Sequence, residues 1–377
     1  MQAKAVILRE LARPAPYAES KPLSVEDVTL LPPAPTDLVV KVIGGGLCHS
    51  DLSIINGSRG TPLPMALGHE GAGEVVEVGS AIMDIKVGDP LVFQFSVSCG
   101  RCRNCQSGRP QICEEAPKAR AKGELISGGS RIRGDGGEVI RHHAGLSCFS
   151  NYVVVNRGSV VKIDDSISMD DAAIFGCAVM TGVGAMLNTA NIRPGQSVAV
   201  FGLGGVGLCG LLGARAAGAG TIIACDVDDR KLAKAKGMGA THTFNAADPE
   251  LKTKVMDLTG GGVDVAVELA GVVKAMEAAY SVAVRGGRVV TAGLPPTGAK
   301  FAFEQGDLVS NEKSILGSYM GSCVPVRDIP RFLAMYRAGA LPVDGLIDRK
   351  IGYDEINEGF DRLASGDALR QILVPHG

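Results

Sequence analysis

Short apolar runs that alternate with polar positions and stop at glycine fill the first half of the chain: KAVILRE from Lys4, DLVVKVIGG from Asp37 and GAGEVVEVG from Gly71. A period of two turns one face of each run inward, so these segments predict the strands of an irregular barrel. The pattern changes at Ser197. SVAVFGLGGVGLCGLLGARAAGAGTIIACDVDDRKLAKAKGMGA reads as a strand ending at Phe201, a glycine turn, a helix, a second strand ending near Cys225, and another helix. Strands follow at VDVAVELAG, GGRVVTAGL and SILGSYMG, with helical stretches such as VVKAMEAAYSVAV between them. That alternation predicts a doubly wound parallel sheet of about six strands. Val198 to Ala214 is uncharged and approaches membrane-spanning length, but glycines at 202, 204, 205, 207, 210 and 213 interrupt it, and strand, turn and helix explain it better. The charged, Gly-rich stretch 117–143, PKARAKGELISGGSRIRGDGGEVIRHH, has no clear period and reads as a surface excursion.

A chain of 377 residues is long enough for about two or three domains, each with its own core. The formal net charge of -2, with 21% charged residues and no basic stripe, argues against a nucleic-acid partner. No Trp is present and Gly numbers 51, which points to aliphatic cores and close backbone approaches. MQAKAVILRELARPAP has charges inside its apolar run and no small-residue cleavage site, so it reads as an opening strand of a cytoplasmic protein with no membrane partner. In that compartment ten cysteines suggest metal before disulfides.

Four of the ten crowd into CGRCRNCQSGRPQIC, where Cys99, Cys102, Cys105 and Cys113 can close a tetrahedron around Zn2+ with no open position. An iron–sulfur cluster and a redox dithiol are the alternatives. A sparser set is Cys48 in GGGLCHSDLS, His69 and Glu70 in LGHEGAG, and Cys177 in AAIFGCAVMTG. Cys, His and Cys with a fourth position left to water or substrate is a catalytic zinc set, but spacing alone does not link three such distant residues, and a lone apolar-flanked cysteine is more often core. In the dinucleotide-like unit, Gly202, Gly204 and Gly207 fit G-x-G-x-x-G, and Asp226 follows Gly207 by nineteen residues at the end of the second strand. A carboxylate there accepts ribose hydroxyls and repels a 2′-phosphate, which favours NAD.

GLCHSD, GHEGAGEVVEVG, the four-cysteine loop and GLGGVG occur in the order and approximate spacing of the zinc-dependent medium-chain alcohol dehydrogenases, and the chain resembles that family over essentially its whole length. The resemblance implies an α/β fold: a Rossmann-type doubly wound parallel sheet plus a mainly-β GroES-like catalytic domain. Residues 1–178 would form the catalytic domain with its structural zinc loop, 179–320 the NAD-binding domain, and 321–377 a return to the catalytic domain, with the active site in the cleft between them. It further implies two zinc ions per chain. Cys48, His69 and Cys177 would hold the catalytic one, with Glu70 behind it and Asp51 orienting His69. NAD would bind at Gly202, Gly204, Gly205, Val206, Gly207, Asp226 and Leu294, with His49 and Arg370 at the pyrophosphate and Lys231 near the adenosine ribose. Ser50 would take the substrate hydroxyl proton, and Phe95, Leu294 and Tyr319 would line the pocket.

Within that family many relatives place a histidine at the position of Ser53, so here the proton would leave through water. The glutathione-dependent formaldehyde-oxidising branch expects an arginine where Pro117 stands and an acidic residue near Ser58 and Arg59, so that branch is disfavoured. Ala144 and Gly145 replace bulky residues and suggest room for aryl or allylic groups. The resulting expectation is reversible oxidation of a small primary alcohol to an aldehyde by a homodimer. Alternatives are an aldehyde dismutase with tightly bound NAD and a non-catalytic zinc- and dinucleotide-binding protein. Cys148, Cys209, Cys225 and Cys323 are expected in the cores.

Overall fold

The computed structural model describes residues 1–165 and 167–376. The chain forms two compact units: Met1–Cys177 with Val324–Pro330 and Asp344–Gly377, and Ala178–Cys323 with Arg331–Val343.

The first unit carries strands β1 (Gln2–Leu8), β2 (Leu23–Leu30), β3 (Asp37–Gly46), β4 (Met65–Ala66), β5 (Gly71–Val78), β6 (Pro90–Phe93), β7 (Ile132–Arg133), β8 (Val139–His142), β9 (Tyr152–Asn156) and β10 (Val160–Lys162). Strands β1, β2, β7, β8 and β4 close into a barrel. Strands β10, β6, β5 and β3 form a second sheet, and β9 pairs with β3. Alternation in β3 and β5 buries Leu38, Val40, Val42 and Val75 against Phe93, Val153 and Val155. Each fully buried side chain of this kind contributes about 1.5 to 3 kcal/mol.

The 117–143 stretch is not a surface excursion. It begins in the helix Ala116–Lys122 and supplies β7 and β8, which complete the barrel and bury Leu125, Ile132, Ile140 and His142. Buried Asp37 ties the stretch to β3: its carboxylate accepts from Ser127 Oγ at 2.9 Å and from Asn156 Nδ2 at 3.0 Å. Strands of two and four residues are too short to show a period, which is why the alternation was invisible.

The second unit contains β11 (Ser197–Phe201), β12 (Thr221–Asp226), β13 (His242–Asn245), β14 (Val263–Glu268), β15 (Ala283–Thr291) and β16 (Ser314–Gly317), all parallel in the order β13-β12-β11-β14-β15-β16. The order reverses at β11 and β14, which creates a crevice at their carboxyl ends. Phe201, Ile223, Val263 and Val289 belong to its hydrophobic core, with Val255 and Met276 from two helices. Val198 to Ala214 becomes β11, the glycine turn and most of the helix Gly205–Ala216. A different run, Met169–Thr189, is long and apolar enough to cross a membrane by length and composition, and 78% of its most apolar stretch is buried. The chain then returns to the first unit, where β17 (Arg349–Ile351) and β18 (Gln371–Leu373) extend the second sheet from β3. Cys148, Cys209, Cys225 and Cys323 are all buried.

Candidate active site

Strand β3 ends at Gly46, and two residues later Cys48, in extended conformation (φ -134°, ψ 154°), caps the helix His49–Ile55. Its amide donates to Asp51 Oδ2 at 3.2 Å, which fixes the turn that aims the sulfur. His69 and Glu70 occupy the short link between β4 and β5. Cys177 sits in a widened helical turn, Phe175–Val179, of the kind often found at functional sites. A Cβ on Gly176 would lie 1.7 Å from the Phe93 carbonyl oxygen, so only glycine lets this turn press against the end of β6. Folding thereby brings Cys48, His69, Glu70 and Cys177 together: one ligand atom from each lies within 4.8 Å of the others, and all four residues are buried.

The charges in this cluster are arranged for a cation. His69 Nδ1 lies 3.1 Å from Asp51 Oδ1, and because a carboxylate only accepts, Nδ1 carries hydrogen and Nε2 faces the sulfurs, 3.6 Å from Cys177 Sγ. Burial works against a charged His69, yet Asp51's charge and the hydrogen bonds to Asp51 and Cys48 hold its pKa well above the ordinary value. The hydrogen bond from Cys177, with His69 and Arg370 nearby, holds the Cys48 thiol well below its usual range, whereas donating to Cys48 and burial push Cys177 well up. Burial raises Glu70 to about 7 against the opposing charge of Arg370. Two sulfurs, an imidazole nitrogen and a carboxylate on a dry, polarised wall match the donor preferences of Zn2+, which displaces protons from such a set on binding.

The remaining expected residues of the first unit fall around this cluster. Ser50 is half-buried in the first turn of the capped helix, and His49 beside it is exposed. Phe95 places its ring edge-on to His69, with centroids 5.4 Å apart. Arg370, expected at a pyrophosphate, is buried beneath the cluster, where Nη1 donates to Glu70 Oε1 at 3.0 Å and to Leu47 O at 3.4 Å. His143 was not anticipated. Its Nδ1 is 3.1 Å from Asp51 Oδ1 and its ring centroid 5.0 Å from that of His69. Burial lowers its pKa, so it is neutral at pH 7. The sequence signal was the HH pair that closes the 117–143 stretch.

The four-cysteine loop forms its own cluster, with the Cys99, Cys102, Cys105 and Cys113 sulfurs all within 4.8 Å of one another. Backbone amides of Cys99 and Cys102 donate to the Cys113 and Cys99 sulfurs at 3.3 Å each, the pattern that stabilises thiolates. Amide hydrogen bonds lower Cys102 to about 6, while burial and the bond to Cys102 push Cys105 up to about 12. The loop's apolar support is small, Val97, Ala116 and Ile126 with the cysteines themselves, so a metal held there would supply much of its stability. If the loop holds zinc, Cys105→Ser is expected to lose it and to expose residues 99–128 to proteases; metal analysis with limited proteolysis checks it.

In the second unit the glycine turn has the shape a pyrophosphate requires. Gly202 adopts φ +90°, a Cβ on Gly207 would sit 1.8 Å from the Gly202 carbonyl oxygen, and the Cβ direction of Gly204 is open space. The turn leads into the helix Gly205–Ala216, whose first amides, at Gly205, Val206 and Gly207, are the natural partners of an anion. Asp226 ends β12 and is buried; Oδ2 accepts from the Leu203 amide at 2.7 Å and Oδ1 from Asp228 at 3.0 Å. Each oxygen retains acceptor capacity for a ribose hydroxyl. Lys231 is half-buried in the helix Asp229–Gly237, Leu294 is exposed after β15, and Tyr319 is half-buried in a short turn after β16. Also unanticipated is Glu268, whose buried carboxylate accepts from the Ala270 and Gly271 amides at 2.7 and 2.6 Å and from Thr291 Oγ1 at 2.7 Å. It knits together the loop ends at the sheet's crevice.

With the two sites in view, the chain can be placed among known proteins. The alcohol dehydrogenase GroES-like domain family matches residues 34–165 and the zinc-binding dehydrogenase family residues 205–337. An alcohol dehydrogenase zinc-binding domain protein from Burkholderia ambifaria is 31% identical over 100% of both chains, with a TM-score of 0.94. Benzyl alcohol dehydrogenase from Acinetobacter calcoaceticus is 28% identical over 99% of both, with a TM-score of 0.92. A structure from Sinorhizobium meliloti 1021 described only as a zinc-binding dehydrogenase, and bound to NADP, is 30% identical over 100% of both, with a TM-score of 0.81. The chain belongs to the zinc-dependent alcohol dehydrogenase family of the medium-chain dehydrogenases. It is thus an oxidoreductase fold built for zinc and a nicotinamide cofactor.

Proposed function

We propose that this protein is an NAD-dependent alcohol dehydrogenase that holds two zinc ions per chain and reversibly oxidises small primary alcohols, aryl or allylic ones among them, to aldehydes. The observation that carries the reading is the buried convergence of Cys48, His69, Glu70 and Cys177. Zinc held by that set would supply a Lewis acid for the substrate oxygen, and a nicotinamide cofactor would supply the hydride acceptor. The chain's own residues do the rest. Asp51 fixes the His69 tautomer so that Nε2 is directed at the metal, and Arg370 keeps Glu70 from adding an uncompensated buried charge behind it. Ser50 accepts the hydroxyl proton and passes it toward the cofactor ribose, while Phe95 packs against His69 and keeps water from the reacting carbon.

The cofactor assignments of Gly202, Gly204, Gly205, Val206, Gly207, Asp226, His49, Lys231, Leu294 and Arg370, and the pocket assignment of Tyr319, belong to the same proposal, as do a catalytic first unit, a cofactor-binding second unit, a cytoplasmic location and a homodimer. Similarity to the benzyl alcohol dehydrogenase supports an aryl substrate, and the small residues Ala144 and Gly145 agree with it. A panel of primary alcohols with NAD+ or NADP+, read as absorbance of the reduced cofactor, tests the reading: benzyl alcohol with NAD+ should be turned over, and silence across the panel with zinc bound would contradict it.

The proton route makes its own prediction. Ser53 Oγ donates to the His49 carbonyl at 2.8 Å, inside the helix, and a hydroxyl holds no charge near neutrality. A positioned base typically contributes about 10²-fold when proton transfer limits the rate. Ser53→His is expected to raise kcat for alcohol oxidation most near pH 7, where imidazole titrates, and much less near pH 10, where hydroxide serves. Parallel kcat profiles against pH would show that proton exit through this position does not limit turnover.

A further inference from the structure

Three elements of the first unit meet at one buried carboxylate. Asp51 Oδ1 lies 3.1 Å from Nδ1 of His69 and 3.1 Å from Nδ1 of His143, while Oδ2 accepts the Cys48 amide at 3.2 Å. Two of these three partners are the residues whose donor atoms face the catalytic metal set; the third, His143, contributes no atom to it. We propose that His143 is a positioning residue of the catalytic zinc set, whose Nδ1, 3.1 Å from Asp51 Oδ1, holds that carboxylate against both His69 and the Cys48 turn. The inference rests on the zinc reading given above.

The surroundings of His143 favour a fixed role. Its amide donates to the Ala66 carbonyl at 3.1 Å, on β4, three residues ahead of His69. Ser147 Oγ reinforces the same junction, donating to Ala66 O at 2.8 Å and lying 3.1 Å from the His143 amide. The turn that follows holds Ala144 at φ +54° and Ser147 at φ +63°, left-handed conformations that non-glycine residues adopt at a cost. Backbone and imidazole of His143 are therefore anchored to the two segments, β4 with its link to His69 and the Cys48 helix, whose relative placement sets the ligand geometry. With the His143 imidazole gone, Asp51 keeps its bonds to His69 and the Cys48 amide but loses a close neighbour at Oδ1, and it can turn away from His69.

Partners of this kind typically change metal affinity by about 10 to 100-fold when removed. The experiment measures zinc release from the purified, zinc-loaded protein to a chromogenic chelator, without substrate or cofactor. His143→Leu fills the space without a donor, and His143→Asn returns an N–H near the Nδ1 position. The Leu variant should surrender one of two zinc ions about 10 to 100-fold more readily, the zinc of the four-cysteine loop being unchanged, and the Asn variant should recover most of the loss. His143→Gln, whose amide reaches instead toward the Nε2 position, should behave like Leu and serves if the Leu variant does not fold. Equal release from wild type and the donor-lacking variant, or equal weakening by Asn, would overturn the proposal. A wild-type protein that holds zinc only at the four-cysteine loop would overturn the catalytic zinc reading itself.

Discussion

Cys177→Ala is expected to lower kcat for alcohol oxidation by at least about 10³-fold, the scale of losing the main electrostatic stabiliser of a developing charge, or about 4 kcal/mol of barrier. The reason is local. Cys177 Sγ lies 3.6 Å from His69 Nε2 and exchanges a hydrogen bond with Cys48, so its removal leaves one sulfur and one imidazole where two sulfurs and an imidazole converged. Zinc content should fall from two ions per chain to one, while the four cysteines of the 99–113 loop keep theirs. Metal analysis beside steady-state kinetics checks both halves at once. Full zinc content with full activity would remove Cys177 from the ligand set.

Asp226→Gly is expected to move the ratio of catalytic efficiencies with NAD and NADP by about 5 to 150-fold toward NADP, equivalent to about 1 to 3 kcal/mol of charged hydrogen bonding and relieved repulsion. The carboxylate ends β12 beside the glycine turn, where a ribose 2′-substituent is recognised in this topology. Its bonds to the Leu203 and Asp228 amides give the substitution a second effect, a looser turn that raises KM for both cofactors. Efficiencies measured with each cofactor separate the two effects, since loosening acts on both and phosphate repulsion on one. An unchanged ratio would remove Asp226 from cofactor discrimination.

What the sequence disclosed followed contiguity. The 99–113 loop and the Gly202–Gly207 turn carry their chemistry within about one turn or loop of chain, so residue type and spacing suffice. The Rossmann-type sheet was largely legible for a related reason: its buried parallel strands are apolar and separated by helices, and about six strands were expected where six form, although the polar edge strand β13, HTFN, was not located. Cys48, His69 and Cys177 lie on separate elements, and without the family resemblance nothing in their spacing joined them. Long-range pairing stayed hidden. Arg370 and Glu70, 300 residues apart, gave no sign that they would form a buried ion pair. His143 arrives at Asp51 only because two very short strands close a barrel, and that closure depends on tertiary contacts such as those of Asp37, not on local pattern.

On the function proposed, the buried Cys48, His69 and Cys177 cluster makes this chain a zinc-dependent alcohol dehydrogenase using NAD. The most direct measurement is reduction of NAD+ by benzyl alcohol, followed by cofactor absorbance, in parallel samples of wild-type protein and Cys177→Ala with zinc content determined for each. Turnover is expected only in the wild type, with two zinc ions per chain against one. Wild-type protein carrying both zinc ions yet reducing neither NAD+ with any primary alcohol nor an aldehyde with NADH would contradict it.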